Sequence, residues 1–287
     1  MSAAVHRAAH AKINACLRVL GARDDGYHQI ETLILPIDLA DDVTVRPSPT
    51  LRVDVHGESG LADAVEAGGM NLALVAALAL AESCGGSSGA LVEIAKRIPV
   101  AAGLGGGSAD AAATMLALNE LWACGLDVEV LLGIGERLGS DVPSLLAGGP
   151  VVARGRGEQV EPIAAQPTHW ALKTFDFPTR SPDAYRWWDE DGGDPGPDPG
   201  VLFAAAESGS FETLGAALFN DLEGPVTRRH PEIGKAKRAF LEAGALGAVM
   251  SGSGPTVAAL ARHPMQAQKL AAAVPGSIVA VGASGQG

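Results

Sequence analysis

Residues 98–109, IPVAAGLGGGSA, place Gly103, Gly105, Gly106 and Gly107 close together and then Ser108 at the mouth of an alanine-rich stretch. Glycine has no side chain to bring to chemistry, but it lets the backbone approach a ligand closely and adopt positive φ. A loop of this kind that opens a helix offers unpaired N–H groups and the positive end of the helix dipole. The matching ligand is an anion, above all phosphate. A Walker loop requires Gly-x-x-x-x-Gly-Lys-Ser/Thr, and no lysine stands at that place. A dinucleotide fold requires Gly-x-Gly-x-x-Gly after the first strand of a parallel unit. This stretch reads Gly103-x-Gly105-x-x-Ser108 and comes late, behind antiparallel-looking text. A phosphate loop without its own lysine or carboxylate must receive its catalytic groups from elsewhere in the chain.

Taken singly, the charged and aromatic residues nearby have plain structural readings. Asp141, in LGSDVPSLLAGG, reads as a helix N-cap, Lys12 as a surface lysine, and Asn14 as a turn residue. Three motifs together say more. Pro99 to Ala109 fits Pro-x-x-x-Gly-Leu-Gly-Gly-Gly-Ser-Ala and resembles the phosphate loop of the GHMP kinases. AKIN, Ala11 to Asn14, resembles the first motif of that superfamily, and MSGSGPTVAAL, Met250 to Leu260, its third, a second glycine turn facing the first loop. Within the superfamily, AKINACLRVLGARDDGYHQIETL and LGSDVPSLLAGGPVVARGRGE are similar to the branch that phosphorylates a cytidine diphosphate methylerythritol. The similarity runs from about Lys12 to Gly157, thins, and returns from Asn220.

That resemblance implies ATP-dependent phosphorylation of the erythritol 2-hydroxyl, a step of the non-mevalonate isoprenoid precursor route. Asp141 becomes the candidate base for the substrate hydroxyl, and Lys12 the cation that holds it ionised and steadies the transferring group. For ATP it implies the loop residues Pro99, Ala101, Ala102, Gly103, Leu104, Gly105, Gly106, Gly107, Ser108 and Ala109, together with Asn71 and Lys96. Ser108 is also the candidate ligand of Mg²⁺. Asn14 points at the substrate, and Tyr27 and His28 stack on and hydrogen-bond the cytosine. Tyr185 is the second aromatic wall, with Trp187 and Trp188 as rivals, and Ser181 stands where the family often has threonine. Asp110 replaces the family's usual asparagine, and its role is open.

These groups must be held by elements the sequence also outlines. KINACLRVLG and IETLILPIDLADDVTVRP read as strands around the turn Arg23 to Gly26. DDVTVRP and LRVDVHG alternate with period two, the mark of antiparallel strands with one wet face. NLALVAALALAESC reads as a helix, ALVEIAKRIP as a strand, and the glycine loop leads into a helix from Ser108 to about Ala123. DVEVLLGIGERLG is a further helix. VVARGRGEQVEP looks like a hairpin and THWALKTFDFP a strand opening a second unit. DGGDPGPDPG, residues 191–200, reads as an exposed flexible loop. FETLGAALFNDLEG and PEIGKAKRAFLEAGA read as helical, and GAVMSGSG, TVAALA and SIVAVGA as strand-like. The reading is two α+β domains, 1–160 and 161–287. The resemblance makes them an ATP-binding domain of the ribosomal protein S5 domain 2-like type and a ferredoxin-like domain, with the active site in the cleft between them.

Composition narrows the partners. At 287 residues, 47% hydrophobic and 19% charged, the chain is that of an ordinary globular protein. With 21 Lys and Arg against 33 Asp and Glu, the net charge is -12. This disfavours nucleic acid and anionic membrane as partners but allows a local basic cluster at a small anion. The partners expected are ATP and one small molecule, in a monomer or weak homodimer. Cys16, Cys84 and Cys124 show no Cys-x-x-Cys spacing, so three reduced thiols are expected. MSAAVHRAAHAK lacks the apolar core of a signal peptide, and the expected location is cytoplasmic. Another GHMP-type kinase acting on homoserine or a mevalonate derivative would have no use for Tyr27 and His28.

Overall fold

The alternating apolar residues of the first fifty positions build two long strands, β1 (Val5–Ala22) and β2 (His28–Pro47). The computed structural model describes residues 4–57, 71–85 and 89–282. Two compact units interleave along the chain. One comprises Met1–Ala11, Leu39–Val100 and Gly105–Gly148; the other comprises Lys12–Asp38, Ala101–Leu104 and Gly149–Gly287.

In the first unit the end of β2 pairs antiparallel with β4 (Ala90–Lys96), from Asp42↔Ala95 to Pro47↔Ala90. Strand β3 (Arg52–Gly57) lies on the far side of β4 and runs parallel to it, from Arg52↔Leu91 to Gly57↔Lys96. The expectation of antiparallel strands thus holds for DDVTVRP, which pairs antiparallel with β4, and is corrected for LRVDVHG, which runs parallel to it. Parallel neighbours need a long crossover, and helix α1 (Leu72–Ser83), between β3 and β4, supplies it. Helix α2 (Gly106–Leu121) buries Ala109, Ala112, Met115 and Leu118, and α1 buries Ala73, Ala76 and Leu80. Small alanine side chains let the two helices pack against each other over their length. Helices α3 (Val128–Leu138) and α4 (Val142–Leu146) complete this unit.

Cys84, at the C-cap of α1, is disulfide-bonded to Cys124, just beyond the C-cap of α2. The expectation of three reduced thiols is therefore corrected. Packing brings the two helix ends together across 40 residues of sequence, a separation that carries no spacing signal. Cys16 is the free cysteine; burial pushes its thiol up to about 12.

In the second unit the first half of β2 pairs antiparallel with β5 (Val151–Gly155), which pairs with β6 (Gln159–Pro162). Cys16 and Leu17 of β1 pair in parallel with the short β8 (Phe219–Asn220). A separate antiparallel sheet follows the order β11 (Ser277–Val281), β7 (His169–Lys173), β10 (Val257–Ala261), β9 (Gly247–Met250). Helices α5 (Ser181–Glu190), α6 (Gly200–Ser208), α7 (Phe211–Ala216), α8 (Glu223–Arg229) and α9 (Pro231–Glu242) stand between β7 and β9, and α10 (Pro264–Ala273) between β10 and β11. The fourth–first–third–second strand order is that of a ferredoxin-like unit, as expected. Its core centres on Phe240, Ile233, Met250, Val257 and Trp188.

Residues 191–200 lie largely on the surface, but parts of the segment are held in place. Gly196 donates its N–H to Asp221 at 2.9 Å and accepts from Arg18 Nε at 2.9 Å. A Cβ on Gly193 would lie 2.2 Å from the Trp188 ring, so this glycine serves close packing as well as turning. FETLGAALFNDLEG is likewise broken, with β8 between two short helices.

Candidate active site

The glycine loop is built on left-handed backbone. Ala101 (φ 53), Gly103 (φ 76) and Gly105 (φ 72) alternate with residues of ordinary φ. Alternation of this kind turns successive N–H groups toward one side, a concavity suited to anions. Gly105 occupies the N-cap position of α2 without a side-chain cap, so the helix begins at Gly106 rather than at Ser108. Gly106, Gly107 and Ser108 form the first helical turn, where backbone N–H groups lack intrahelical partners.

Beneath that turn lies an ionic triad entirely within the first unit. Lys96 Nζ donates to Asp41 at 2.5 Å and to Asp110 at 2.6 Å, and all three side chains are buried. Asp41 also accepts from the N–H groups of Arg97 (2.5 Å) and Ile98 (2.8 Å). Burial draws the Lys96 pKa down, but the two carboxylates outweigh it and leave the ammonium above its ordinary value. Burial pushes Asp110 up, and Lys96 offsets only part of this. A Cβ on Gly106 would stand 3.0 Å from Ile98 Cγ2 and 3.5 Å from Lys96 Nζ, which places the triad close under the loop. Lys96 is thus a buried strut, not a solvated strand-edge charge.

Elsewhere in this unit, Asn71 caps α1, its Oδ1 accepting from Ala73 N at 2.9 Å. Asp141 sits at the N-cap position of α4, yet its φ and ψ (-86°, -13°) are helical and its side chain makes no cap bond. Its carbonyl instead accepts from Ser144 Oγ at 2.7 Å. The capping reading of Asp141 is not what the backbone shows.

In the second unit the three motifs meet. Lys12 Nζ donates to Asn14 Oδ1 at 2.7 Å and to Gly103 O at 3.2 Å. Ser251 Oγ donates to Gly103 O at 2.9 Å and accepts from Asn14 N at 3.2 Å. Asn14 Nδ2 reaches Thr32 Oγ1 at 2.8 Å. A Cβ on Gly103 would lie 2.2 Å from Ser251 O, and one on Gly252 would lie 3.2 Å from Lys12 Nζ. Only glycine permits these approaches. Asn220 clamps the third motif, donating to Met250 O and Gly252 O, both at 2.7 Å.

An aromatic cluster lies in the same unit. The His28 ring stacks on Tyr185 at 4.8 Å, meets Trp188 edge-on at 5.9 Å, and places Nε2 2.9 Å from Asp189. Tyr27 is half exposed, with the Arg156 guanidinium over its ring. Ser181 Oγ lies 3.1 Å from Ser253 Oγ of the third motif. Trp188 is buried in the core, and Trp187 lies beside His230 and Arg229, so Tyr185 alone of the three stacks on His28.

Comparison with known proteins agrees with this assembly. Residues 71–149 match the GHMP kinases N terminal domain and residues 202–279 the GHMP kinases C terminal domain. The chain belongs to the GHMP kinase family. It is 44% identical, over 86% of its length and 87% of the relative's, to 4-diphosphocytidyl-2-C-methyl-D-erythritol kinase of Symbiobacterium thermophilum. It is 40% identical to the protein of the same name from Rhodococcus jostii, over 94% and 88% of the two chains. A crystal structure of 4-(cytidine 5'-diphospho)-2C-methyl-D-erythritol kinase superposes with a TM-score of 0.80 at 34% identity, covering 97% of this chain and all of that one. Homoserine kinase from Cytophaga hutchinsonii, at 23% identity and TM-score 0.73, shares the fold over 100% of this chain and 96% of its own.

Of the residues that sequence alone singled out in this GHMP kinase, Lys12, Asn14 and Gly103 are joined by direct hydrogen bonds, as are Lys96 and Asp110. Ser251 belongs to the third motif, while Asp41 and Arg156 lie outside the candidate residues of the sequence. Asp41 had a weak signal, an acid inside the apolar run of β2. Arg156 had none, since a turn arginine is ordinary.

Proposed function

We propose that this GHMP kinase transfers the γ-phosphoryl group of ATP to the 2-hydroxyl of 4-diphosphocytidyl-2-C-methyl-D-erythritol, a step of non-mevalonate isoprenoid precursor synthesis. The observation that carries the reading is 44% identity over most of both chains to a kinase of that name. The exposed ring of Tyr27 beside the cluster of His28 and Tyr185 supports a planar base as part of the substrate.

The hydroxyl oxygen attacks the γ-phosphorus, the bond to the bridging oxygen breaks, and ADP leaves. Asp141 takes the hydroxyl proton, and Lys12 supplies positive charge to the transferring group. The glycine loop, from Ala101 through Ser108, receives the phosphates on backbone N–H groups. Gly252, at the third motif, lies close to Lys12 and Gly103: a Cβ there would stand 3.2 Å from Lys12 Nζ and 3.3 Å from Gly103 O. Among the described residues no cluster of three or more His, Cys, Asp or Glu forms a metal cage. Magnesium would be held by the nucleotide phosphates and the Ser108 hydroxyl. When bound, it neutralises phosphate charge.

Among the described residues no helix is long and apolar enough to cross a membrane. A cytoplasmic monomer or weak homodimer is the proposed form, and sedimentation at two concentrations checks the latter. The disulfide runs against a strongly reducing compartment. Thiol trapping in cell extracts tests the location.

The decisive variant is Asp141→Asn. Asparagine keeps the size and hydrogen-bonding reach of the aspartate, so the variant should melt close to the parent in the absence of ligand. ATP and the cytidine substrate should still raise Tm. Turnover should fall by about 10²–10⁴-fold. Near-normal kcat would remove Asp141 from the mechanism.

A further inference from the structure

Tyr27 is positioned by a turn held by a set of local hydrogen bonds. Its N–H donates to Asp25 Oδ1 at 3.1 Å, its carbonyl accepts from Arg23 N at 2.7 Å, and Arg23 Nη2 grips the Asp25 carboxylate at 2.9 Å. This fixes the main chain. The ring itself stands half exposed, and a half-exposed tyrosine on a turn has rotamers open to it.

One face of that ring is covered. Arg156 Cζ lies 4.9 Å from the ring centroid, inside the range of a cation–π contact. The arginine comes from the tight turn joining β5 to β6, where Gly155 (φ 72) and Gly157 (φ 117) are both left-handed. Glu158 folds back over this turn, accepting from Arg156 N at 2.7 Å with Oε2 4.0 Å from Arg156 Nε. A Cβ on Gly155 would lie 2.6 Å from the Glu158 carboxylate, so glycine is what allows Glu158 to fold back. The turn therefore sets the Glu158 carboxylate beside the guanidinium.

We propose that Arg156 is a positioning residue for the base subsite: its guanidinium holds the Tyr27 ring from one face and so presents the other face to the cytosine. This rests on the reading above that Tyr27 stacks on the substrate's base. A planar cation suits this task because it stacks flat on an aromatic ring. The ring arrives ordered, so less rotamer freedom is lost when the base binds.

The test is a double-mutant cycle read by steady-state kinetics. Arg156→Ala should raise KM for the cytidine substrate about three- to tenfold, with kcat and KM for ATP unchanged. Arg156→Lys, which keeps the charge without the planar face, should recover part of the loss. In a Tyr27→Ala background, Arg156→Ala should add nothing. An unchanged KM in Arg156→Ala, while Tyr27→Ala alone raises it, would overturn the proposal and leave base stacking intact. The same loss in both backgrounds would also overturn it, because Arg156 would then act on the substrate without Tyr27. An unchanged KM in Tyr27→Ala itself would overturn the stacking reading and the Arg156 proposal together. Unaltered melting temperatures in both single variants separate these outcomes from misfolding.

Discussion

Gly106 and Gly107 are adjacent on the first turn of α2, yet the structure gives them opposite constraints, and substituting each in turn tests whether the loop holds phosphate. A Cβ on Gly107 meets no atom within 4 Å, and Gly107 has ordinary helical φ. Alanine there should fold at least as well as glycine, with a gain of up to about 0.5–1 kcal/mol from restricting the unfolded chain. In a protein of this size that raises Tm by about 1–4 °C. The cost should appear only when ATP binds. If the added methyl displaces one charge-assisted hydrogen bond to a phosphate, about 1.5–3 kcal/mol is lost, roughly ten- to a hundredfold in KM for ATP. Gly106→Val is the contrasting variant. Its Cβ would already press Ile98 Cγ2 at 3.0 Å, and the added methyl groups have buried Ile98 and Lys96 as neighbours. The structure therefore predicts a loss of stability before any ligand is added, with overpacking costing about 1–3 kcal/mol. Melting curves with and without ATP, together with KM for both substrates, separate the two effects. If Gly107→Ala melts higher and binds ATP as well as the parent, the phosphates do not lie against this turn, and the anion argument for the loop fails there.

Two further outcomes follow from the first unit. Burial gives Asp110 a raised pKa, so the folded protein keeps a proton that the unfolded chain releases. Its contribution to stability therefore falls as pH rises from the ordinary carboxylate range toward neutrality. Asp110→Asn should remove that slope, and a parent-minus-variant stability difference that is flat from pH 4 to about 7 would contradict it. Cys84→Ser opens a loop of 40 residues, which chain-entropy arguments value at about 4 kcal/mol, a Tm loss on the order of 10 °C. Thiol counting checks the pairing independently: the native protein should label at no cysteine, the unfolded protein at Cys16 alone, and the unfolded, reduced protein at all three.

What could be read from sequence and what could not divide along a physical line. The glycine loop and the third motif are short runs whose residue types answer to local backbone demands, each where a strand meets a turn or a helix, whereas AKIN lies inside β1. The alternation in β2 and β3 revealed strands but not their partner, because period two reports one wet face and says nothing of direction; only the crossover helix makes β3 parallel to β4. Asp41, Lys96 and Asp110 show the limit most clearly. Asp110 stands near a phosphate loop, where a carboxylate facing the ligand would repel it. Its carboxyl group is turned below the loop to Lys96, whose ammonium also serves Asp41 on another strand. Whether an acid at that position harms phosphate binding or secures the turn beneath it depends on which way a buried side chain points. That is decided by packing among β2, β4 and α2, and a linear reading cannot contain it. The same holds for Arg156, an unremarked residue in a surface turn until the fold lays its guanidinium across Tyr27.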